Sequence, residues 1–250
     1  MKPRLVFLPG LANDGEVWAD VRAALARAAA PALRPLLDGA QVSDVHTRHA
    51  TLPGMAEALL AQHAGPLVLV GHSMGGMVAM HAARLAPARI AGLALLATTA
   101  RPDTPELIRL RTDACAQFAA GRIDVVLRAN VAFAFHPDRA ADAALVARYF
   151  DIVQRAGAAQ LIAQNQAVMA RDDGRPHLAA IDTRRCPTLV LCGEADGLTP
   201  PEVAREIAEA VRGASFEVLP GCGHMLTLEA PQAVAARLAA WLLEVSASRG

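Results

Sequence analysis

LVLVGHSMGG, residues 67–76, places one serine, Ser73, between an apolar run and a cluster of glycines. Residues 71–75 fit the pattern G-x-S-x-G, with a strand-like run before them and a helix-like run after them. A tight strand-to-helix turn needs glycines wherever a Cβ atom would collide with the strand or the helix. Such a turn lifts the serine hydroxyl above the sheet edge, at a helix N-terminus whose free N–H groups favour negative charge. We therefore predict that Ser73 is a nucleophile; the alternative is a glycine-rich turn whose serine caps the helix.

Runs typical of strands alternate with helical segments along the chain. Helices are predicted over 54–65 and 75–87. A further helix is predicted after the strand 187–193, with Thr199 as its N-cap and Glu202 closing a capping box. The last helix of the chain carries an apolar face. Residues 32–38 are a weaker strand candidate, because a proline suits an edge strand. Strands separated by helices predict a parallel sheet that helices cover on both faces. The predicted strands are 4–10, 32–38, 66–71, 90–100, 187–193 and 215–221.

Residues 101–182 interrupt this alternation. They contain no run typical of a strand, only helical segments rich in alanine and arginine. We predict that 101–182 form a helical cap, inserted between core strands at their carboxyl ends, where ligands bind in open α/β sheets. The chain, 1–250, is then predicted to be a single domain with this insertion.

The composition excludes several classes of function. The chain has 250 residues, a formal net charge of +0 and 54% hydrophobic residues, which suits one large α/β domain and argues against a nucleic-acid or membrane partner. Lys2 is the only lysine, so a GxxxxGK[ST] phosphate loop and an interior Schiff-base lysine are both absent. The N-terminal apolar run is interrupted at Pro9 and Gly10, which argues against a signal peptide. We expect a cytoplasmic protein.

A serine hydroxyl needs a base to remove its proton and a third group to orient that base. His224 follows the last predicted strand, at the same sheet edge as Ser73, and is the predicted base. Asp196 lies in the loop after the penultimate strand and is the predicted acid, with Asp103, after an earlier strand, as the alternative. His72 lies inside the turn and is expected to point elsewhere, and the remaining histidines fall in helices, helix ends or loops.

These residues resemble the α/β-hydrolase fold superfamily over nearly the whole chain. The order Ser73, Asp196, His224, the spacing from Gly193 to Asp196 and the Gly-His pair at 223–224 are similar to the family's pattern. Within the family the chain looks like the small, capped esterase-type members, such as the pimeloyl-acyl-carrier-protein methyl ester esterases. The resemblance implies that the three residues form a catalytic triad. It also implies a mostly parallel central sheet of about six strands flanked by helices, because the family's outer first hairpin is absent or reduced here.

The loop after the first predicted strand, FLPGLANDGEVW at residues 7–18, carries a further part of the resemblance. Where the family usually has His-Gly, this chain has Pro9 and Gly10. The family's oxyanion hole uses the backbone N–H of the residue after that glycine. The resemblance therefore implies that the N–H groups of Leu11 and Met74 form the hole.

The predicted function is hydrolysis of a carboxylic ester, or a thioester, of a small apolar acyl or aryl substrate through an acyl-enzyme. The alternatives are acyl transfer, C–C bond hydrolysis or lyase chemistry with the same triad, and a non-enzymatic ligand-binding protein on this fold. Phe133 and Phe135, in the predicted cap, are candidate substrate contacts; the alternative is that they only anchor cap helices.

No metal or organic cofactor is expected, because the histidines and cysteines show no ligand spacing and the glycines form a turn rather than a dinucleotide loop. The expected partner is a small-molecule ester. Residues 101–185 contain twelve arginines and ten acidic residues, and this excess of two positive charges does not support an acidic carrier protein as partner.

Overall fold

The computed structural model of the protein describes residues 2–248. At its centre lies a parallel sheet whose six strands are β1 (Arg4–Leu8), β2 (Gln41–Val42), β3 (Leu67–His72), β4 (Ile90–Leu96), β5 (Thr188–Gly193) and β6 (Ser215–Leu219). The strands lie side by side in the order β2-β1-β3-β4-β5-β6, and every neighbouring pair is parallel. The predicted fold class is confirmed.

The central strands β3, β4 and β5 are buried along their whole length. Helices on both faces of a parallel sheet bury both sides of such strands, which explains their continuous apolar runs. The register pairs Gly71 with Leu8 and Gly193 with Leu219, so the strands end at one edge of the sheet. The loops that follow β1, β3, β5 and β6 therefore meet at that edge, which we call the carboxyl edge.

Helices cover both faces of the sheet. On one face α1 packs against α13 in a core cluster that includes Trp18 and Trp241, and on the other α4 packs against α5 in a second cluster. The apolar face predicted for the last helix is confirmed, because its members are all buried: Val234, Leu238, Trp241, Leu242 and Val245. The described helices are α1 (Ala19–Ala28), α2 (Arg34–Asp38), α3 (Val45–Arg48), α4 (Leu52–Gln62), α5 (Met74–Leu85), α6 (Pro105–Ala119), α7 (Ile123–Ala134), α8 (Pro137–Ala140), α9 (Ala143–Met169), α10 (Arg175–Leu178), α11 (Pro201–Ala210), α12 (Leu226–Glu229) and α13 (Pro231–Ala247).

All the regular secondary structure between β4 and β5 is helical. Helices α6 to α10 lie there, and residues 101–182 contain no strand. The longest of them, α9, kinks at Gly157, whose φ of 75° is readily adopted by glycine. Although α9 has 27 residues, neither it nor any other described helix is apolar enough over a sufficient length to cross a membrane.

The strand prediction for residues 32–38 is wrong. They form a short 3-10 turn, Pro31–Leu33, followed by α2. Pro35 occupies the first turn of α2, where its missing N–H costs no hydrogen bond, whereas in a strand it would interrupt the ladder. The edge strand next to β1 is instead the two-residue β2.

The N-cap residue predicted for the helix after β5, Thr199, is also wrong. Helix α11 begins at Pro201 with Pro200 as its N-cap, and no side chain caps it. The hydroxyl of Thr199 instead donates a hydrogen bond to Asp196, at 2.8 Å between Oγ1 and Oδ2. A tertiary partner thus takes the hydroxyl that the local sequence assigns to the helix.

Candidate active site

Ser73 lies in the turn between β3 and α5 with a strained backbone. Its φ of 54° and ψ of −120° fall in a region that residues with a side chain rarely adopt. Packing holds it there: a Cβ atom on Gly71 would lie 2.5 Å from the carbonyl oxygen of Gly75. The Thr98 hydroxyl also donates to the Ser73 carbonyl at 2.7 Å. The turn therefore has the shape of a nucleophile elbow, with the serine side chain directed away from the strand.

The three side chains singled out in the sequence form one hydrogen-bonded chain. Ser73 Oγ lies 2.9 Å from Nε2 of His224. On the other side of the ring, Nδ1 lies 3.1 Å and 3.0 Å from Oδ1 and Oδ2 of Asp196. A carboxylate only accepts, so Nδ1 carries the ring proton and Nε2 accepts the serine proton. This tautomer is the one in which a neutral imidazole can act as a base toward Ser73.

Asp196 is buried but surrounded by donors. Its Oδ1 accepts the backbone N–H groups of Leu198 and Thr199 at 2.9 Å and 2.8 Å, and its Oδ2 accepts the Thr199 hydroxyl. Burial raises the pKa of Asp196, but the His224 ring and the Thr199 donors outweigh it, so the pKa stays below its usual value. The side chain is therefore held as a carboxylate facing the imidazole.

His72 positions the backbone of His224. Its side chain is fully buried, and its Nε2 lies 2.9 Å from the carbonyl oxygen of His224. Desolvation by burial, with a further contribution from His224, lowers the pKa of His72 to about 3. His72 is therefore neutral, and its Nε2–H donates to that carbonyl. As expected from the sequence, it does not face Ser73.

A buried carboxylate, Glu229, fixes the loop that carries His224. Its Oε1 accepts the N–H of Gly223 at 2.9 Å and its Oε2 accepts the N–H of His136 at 2.8 Å. Burial raises the pKa of Glu229, although these two N–H donors act in the opposite direction. Glu229 thus links the residue before His224 to the segment between α7 and α8.

The two predicted oxyanion donors belong to segments that adjoin Ser73. Met74 is the first residue of α5, so its N–H has no acceptor within the helix. Leu11 follows Gly10, where a Cβ atom would lie 3.1 Å from the Cβ of Ser73. Within residues 2–248 the Leu11 N–H has no hydrogen-bond acceptor. The assignment of both groups as oxyanion donors therefore stays a prediction.

The alternative acid, Asp103, is engaged elsewhere. Its carboxylate pairs with Nε of Arg111 at 2.8 Å and with a terminal guanidinium nitrogen of Arg171 at 2.7 Å. Its side chain is 1% exposed. These pairs tie the start of α6 to the end of α9, and the acid beside His224 is Asp196.

The two phenylalanines have different environments. Phe133 lies in the last turn of α7 and is 54% exposed, with its carbonyl accepting the N–H of Gly197 at 3.0 Å. Phe135 is buried in the core, edge to face with Tyr149 at 5.3 Å between ring centroids. Phe135 therefore anchors the segment, and Phe133 stays a candidate substrate contact.

Sequence reasoning missed the contacts that support the hydrogen-bonded side chains of Ser73, His224 and Asp196. No motif points to the contacts of Thr98, His72 and Glu229, because their partners are distant in sequence or are backbone groups. One signal was available for Glu229: a lone acid in the mostly apolar run MLTLEAP, residues 225–231, must find donors if that run is buried.

A cavity of about 540 Å³ lies beside α5, away from this site. Its walls come from Met77 and Met80 of α5 and from Leu178 and Ile181 of the chain leading to β5. None of its lining residues belongs to the Ser73–His224–Asp196 chain, so it is distinct from the site described above. Among residues 2–248, no three His, Cys, Asp or Glu side chains lie together so that they could hold a metal ion.

Comparison with known proteins relates this geometry to a family. Residues 5–237 match the sequence profile of the Alpha/beta hydrolase family. A pimeloyl-[acyl-carrier protein] methyl ester esterase from Aromatoleum aromaticum is 28% identical over 249 residues, which cover 92% of this chain and 94% of that protein. A thermophilic esterase from Thermogutta terrifontis has a similar structure, with a TM-score of 0.82 at 26% identity over 98% of this chain and 91% of that one. The enol-lactonase from Burkholderia xenovorans shares the fold, with a TM-score of 0.80 at 21% identity over 97% of this chain and 92% of that one.

Proposed function

The chain belongs to the alpha/beta hydrolase family, and on that premise we propose that it is a serine carboxylesterase that cleaves small apolar acyl or aryl esters through an acyl-enzyme. The observation that carries the proposal is the 2.9 Å contact between Ser73 Oγ and His224 Nε2, with Asp196 on the other side of the ring. Relatives named as esterases support ester hydrolysis as the reaction class.

In the first step Ser73 Oγ attacks the ester carbonyl carbon while its proton passes to Nε2 of His224. The imidazolium that forms is stabilised by the Asp196 carboxylate through Nδ1–H. The carbonyl oxygen becomes an oxyanion, which the N–H groups of Leu11 and Met74 bind; each such donor contributes about 3 kcal/mol in comparable sites. Collapse of the tetrahedral intermediate breaks the C–O bond, and the Nε2 proton passes to the leaving alkoxide.

In the second step water attacks the acyl-enzyme. His224 takes a proton from the water as its oxygen bonds to the acyl carbon, and the same oxyanion donors act again. The proton then returns to Ser73 Oγ as the carboxylic acid leaves. Asp196 holds the ring in one orientation throughout, and its lowered pKa keeps it a carboxylate at neutral pH.

The substrate class rests on two supports. The Aromatoleum relative is named as a methyl ester esterase, which favours an ester of a small alcohol. Phe133 exposes an apolar ring next to the loop that carries Asp196, since its carbonyl binds the N–H of Gly197. We propose that this ring contacts the acyl chain, so that Phe133→Ala raises KM for a hexanoyl ester more than for an acetyl ester.

The test is a hydrolysis screen of p-nitrophenyl esters of increasing acyl length, together with a methyl ester, a thioester and a C–C bond substrate. We expect ester turnover that falls roughly 10⁴-fold in Ser73→Ala and in His224→Ala, because the three residues act as a unit. Ser215→Ala, at the exposed start of β6, is the matched control and should retain activity. A fluorophosphonate should add one label per chain to wild type and none to Ser73→Ala.

Wild-type turnover in Ser73→Ala would overturn the acyl-enzyme mechanism. Faster cleavage of the C–C substrate than of every ester would instead reassign the reaction while leaving the triad in place.

A further inference from the structure

The loop after β1 contains a turn whose conformation does not suit its sequence. The N–H of Asn13 donates to the carbonyl of Gly10 at 3.2 Å, which makes Leu11 and Ala12 the central residues of a β-turn. Ala12 has a φ of +60°, while Leu11 has no positive φ. A positive φ at the third position alone marks a type II turn, where glycine is the usual residue. A Cβ atom disfavours this left-handed region, so Ala12 is strained.

A second conformation of the same turn would relieve that strain. Rotation of the peptide between Leu11 and Ala12 converts a type II turn into type I and gives the third residue a φ of roughly −90°. The hydrogen bond between Asn13 and Gly10 is compatible with both forms. Some group outside the turn must therefore hold the peptide in its present orientation.

We propose that Gln164 of α9 is this group, a positioning residue that holds the oxyanion loop in its working form. Its side chain is 1% exposed, and its Oε1 accepts the N–H of Ala12 at 2.6 Å. Its Nε2 donates to the carbonyl of His46 at 2.9 Å. The bond to Ala12 joins residues 152 positions apart and is made to the peptide that would rotate.

The His46 carbonyl determines which way the Gln164 amide faces. A carbonyl oxygen only accepts, so the NH₂ group of Gln164 must point to His46 and its oxygen to Ala12. If the turn changed to type I, the Leu11 carbonyl would face Gln164 Oε1 and two acceptors would meet. His46 itself is buried, and its Nε2 lies 2.8 Å from the Asn13 carbonyl, so the loop is held at two adjacent points.

The ion pairs between α9 and the region after the turn are of a different kind. Arg155 pairs with Asp14 and Glu16, and Arg148 with Glu16 and Asp20, through side chains that are 30% exposed or more. Such pairs contribute little because water screens them. They lie beyond the turn, whereas Gln164 contacts the turn itself.

This inference rests on the function proposed above, in which the Leu11 N–H binds the oxyanion. The residue that flanks Leu11 is the one that Gln164 holds, and oxyanion donors act only when their position is fixed before the reaction. A loop that samples both turn forms would bind the substrate but stabilise the transition state less. The expected signature is a lower kcat at a nearly unchanged KM.

Gln160 provides a matched control. It lies one turn earlier on α9, and its Nε2 also donates to the His46 carbonyl at 2.9 Å, but it makes no bond to the loop. Gln164→Met and Gln160→Met each remove one donor to His46, and only the first removes the acceptor of the Ala12 N–H. We expect kcat for the best ester to fall at least 10-fold in Gln164→Met and less than 2-fold in Gln160→Met, with KM within 2-fold in both.

The substitution Ala12→Gly distinguishes an effect of Gln164 on the conformation of the turn from a general weakening of the packing. Glycine is the residue that a type II turn favours, so the double variant Ala12→Gly/Gln164→Met should recover most of the lost kcat. The kcat of Ala12→Gly alone serves as the reference for the double variant. Equal losses in Gln164→Met and Gln160→Met, or no recovery in the double variant, would overturn the inference.

Hydrogen exchange of the wild-type protein tests the contact without any substitution. The Ala12 N–H, bonded to a buried oxygen, should exchange at least 10-fold more slowly than the Leu11 N–H, which has no acceptor among the described residues. Equal exchange rates would contradict the inference even if Gln164→Met failed to fold. Absence of ester turnover in wild type would instead count against the proposed function.

Discussion

The carboxyl edge of the sheet and the outer face of the helical segment 101–182 are built differently. At the edge, His224 and Asp196 are 5% and 3% exposed and each polar atom has defined partners. On the outer face Leu110 is 67% exposed, and the pair Arg109–Glu106 is exposed by 68% and 71% on its two side chains. Substitutions of His224 and Asp196 should therefore disturb the geometry of the edge, whereas the outer face should tolerate change.

The contrast between the two aspartates should give the largest effect. Asp196→Asn removes the charge behind His224 and favours the wrong tautomer, so kcat should fall by roughly 10³- to 10⁴-fold with the fold intact. Asp103→Asn breaks buried pairs with Arg111 and Arg171, and should lower the free energy of unfolding by about 3 kcal/mol with kcat nearly unchanged.

Steady-state kinetics and urea unfolding of both variants check this pair of expectations. If Asp103→Asn lost activity while Asp196→Asn kept it, the acid would have been assigned to the wrong strand end.

Two glycines sharpen the same comparison through stability. A Cβ atom on Gly71 would lie 2.5 Å from the Gly75 carbonyl oxygen, so Gly71→Ala should cost about 3 kcal/mol by forcing strand and helix apart. Gly121, between α6 and α7, has a φ of +74° and nothing within 4 Å of such an atom. Gly121→Ala should therefore cost only about 1 kcal/mol, from the left-handed backbone alone.

The free energies of unfolding of the two variants, from urea titration, provide the measurement. Similar costs at both positions would mean that crowding at the edge is not what requires glycine there.

The smallest expected effect is a fall in the free energy of unfolding in acid, which His72 at the carboxyl edge causes. An unfolded chain protonates His72 near its ordinary pKa of 6.5, whereas the folded protein keeps it neutral until about pH 3. Between these values the unfolded state binds more protons, so stability falls as pH falls, and at pH 5.5 His72 accounts for a loss of about 1.4 kcal/mol. Buried His46, whose pKa is lowered by desolvation, acts in the same direction.

Proton NMR of the His72 ring between pH 8 and pH 5 is the check. Its signals should stay constant in the folded protein and titrate near pH 6.5 in urea. A midpoint above pH 5 in the folded state would show that the ring is less well shielded than its burial indicates.

Short-range patterns predicted the parts of the molecule that depend on short-range physics. The runs 66–71, 90–100 and 187–193 contain most or all of the strands β3, β4 and β5, because both faces of a central parallel strand are buried and this leaves a continuous apolar signature. The turn at Ser73 was visible because its crowding demands glycine at fixed positions. Residues 32–38 failed because an apolar run with a proline fits a helix start as well as an edge strand.

The Ser73–His224–Asp196 chain could be anticipated for a related reason. Parallel strands end at one edge, so residues after β3, β5 and β6 meet there whatever their separation in sequence. Thr199 shows the limit of this argument. Its position before a helix predicted a cap, but a buried carboxylate was a stronger competitor for its hydroxyl, and only the assembled loop reveals that.

By itself the sequence determined the alternating architecture, the serine turn and the order of the three site residues, because each depends on neighbours along the chain or on strand order. Only the tertiary structure decided how those residues are held. His72 binds the carbonyl of His224, Glu229 binds Gly223, and Gln164 holds Ala12 in a turn that alanine disfavours. Two of these contacts, at His72 and Gln164, join positions that are 152 residues apart. A buried polar group must bond to whatever donor or acceptor the fold brings beside it, and no local pattern records which one that is.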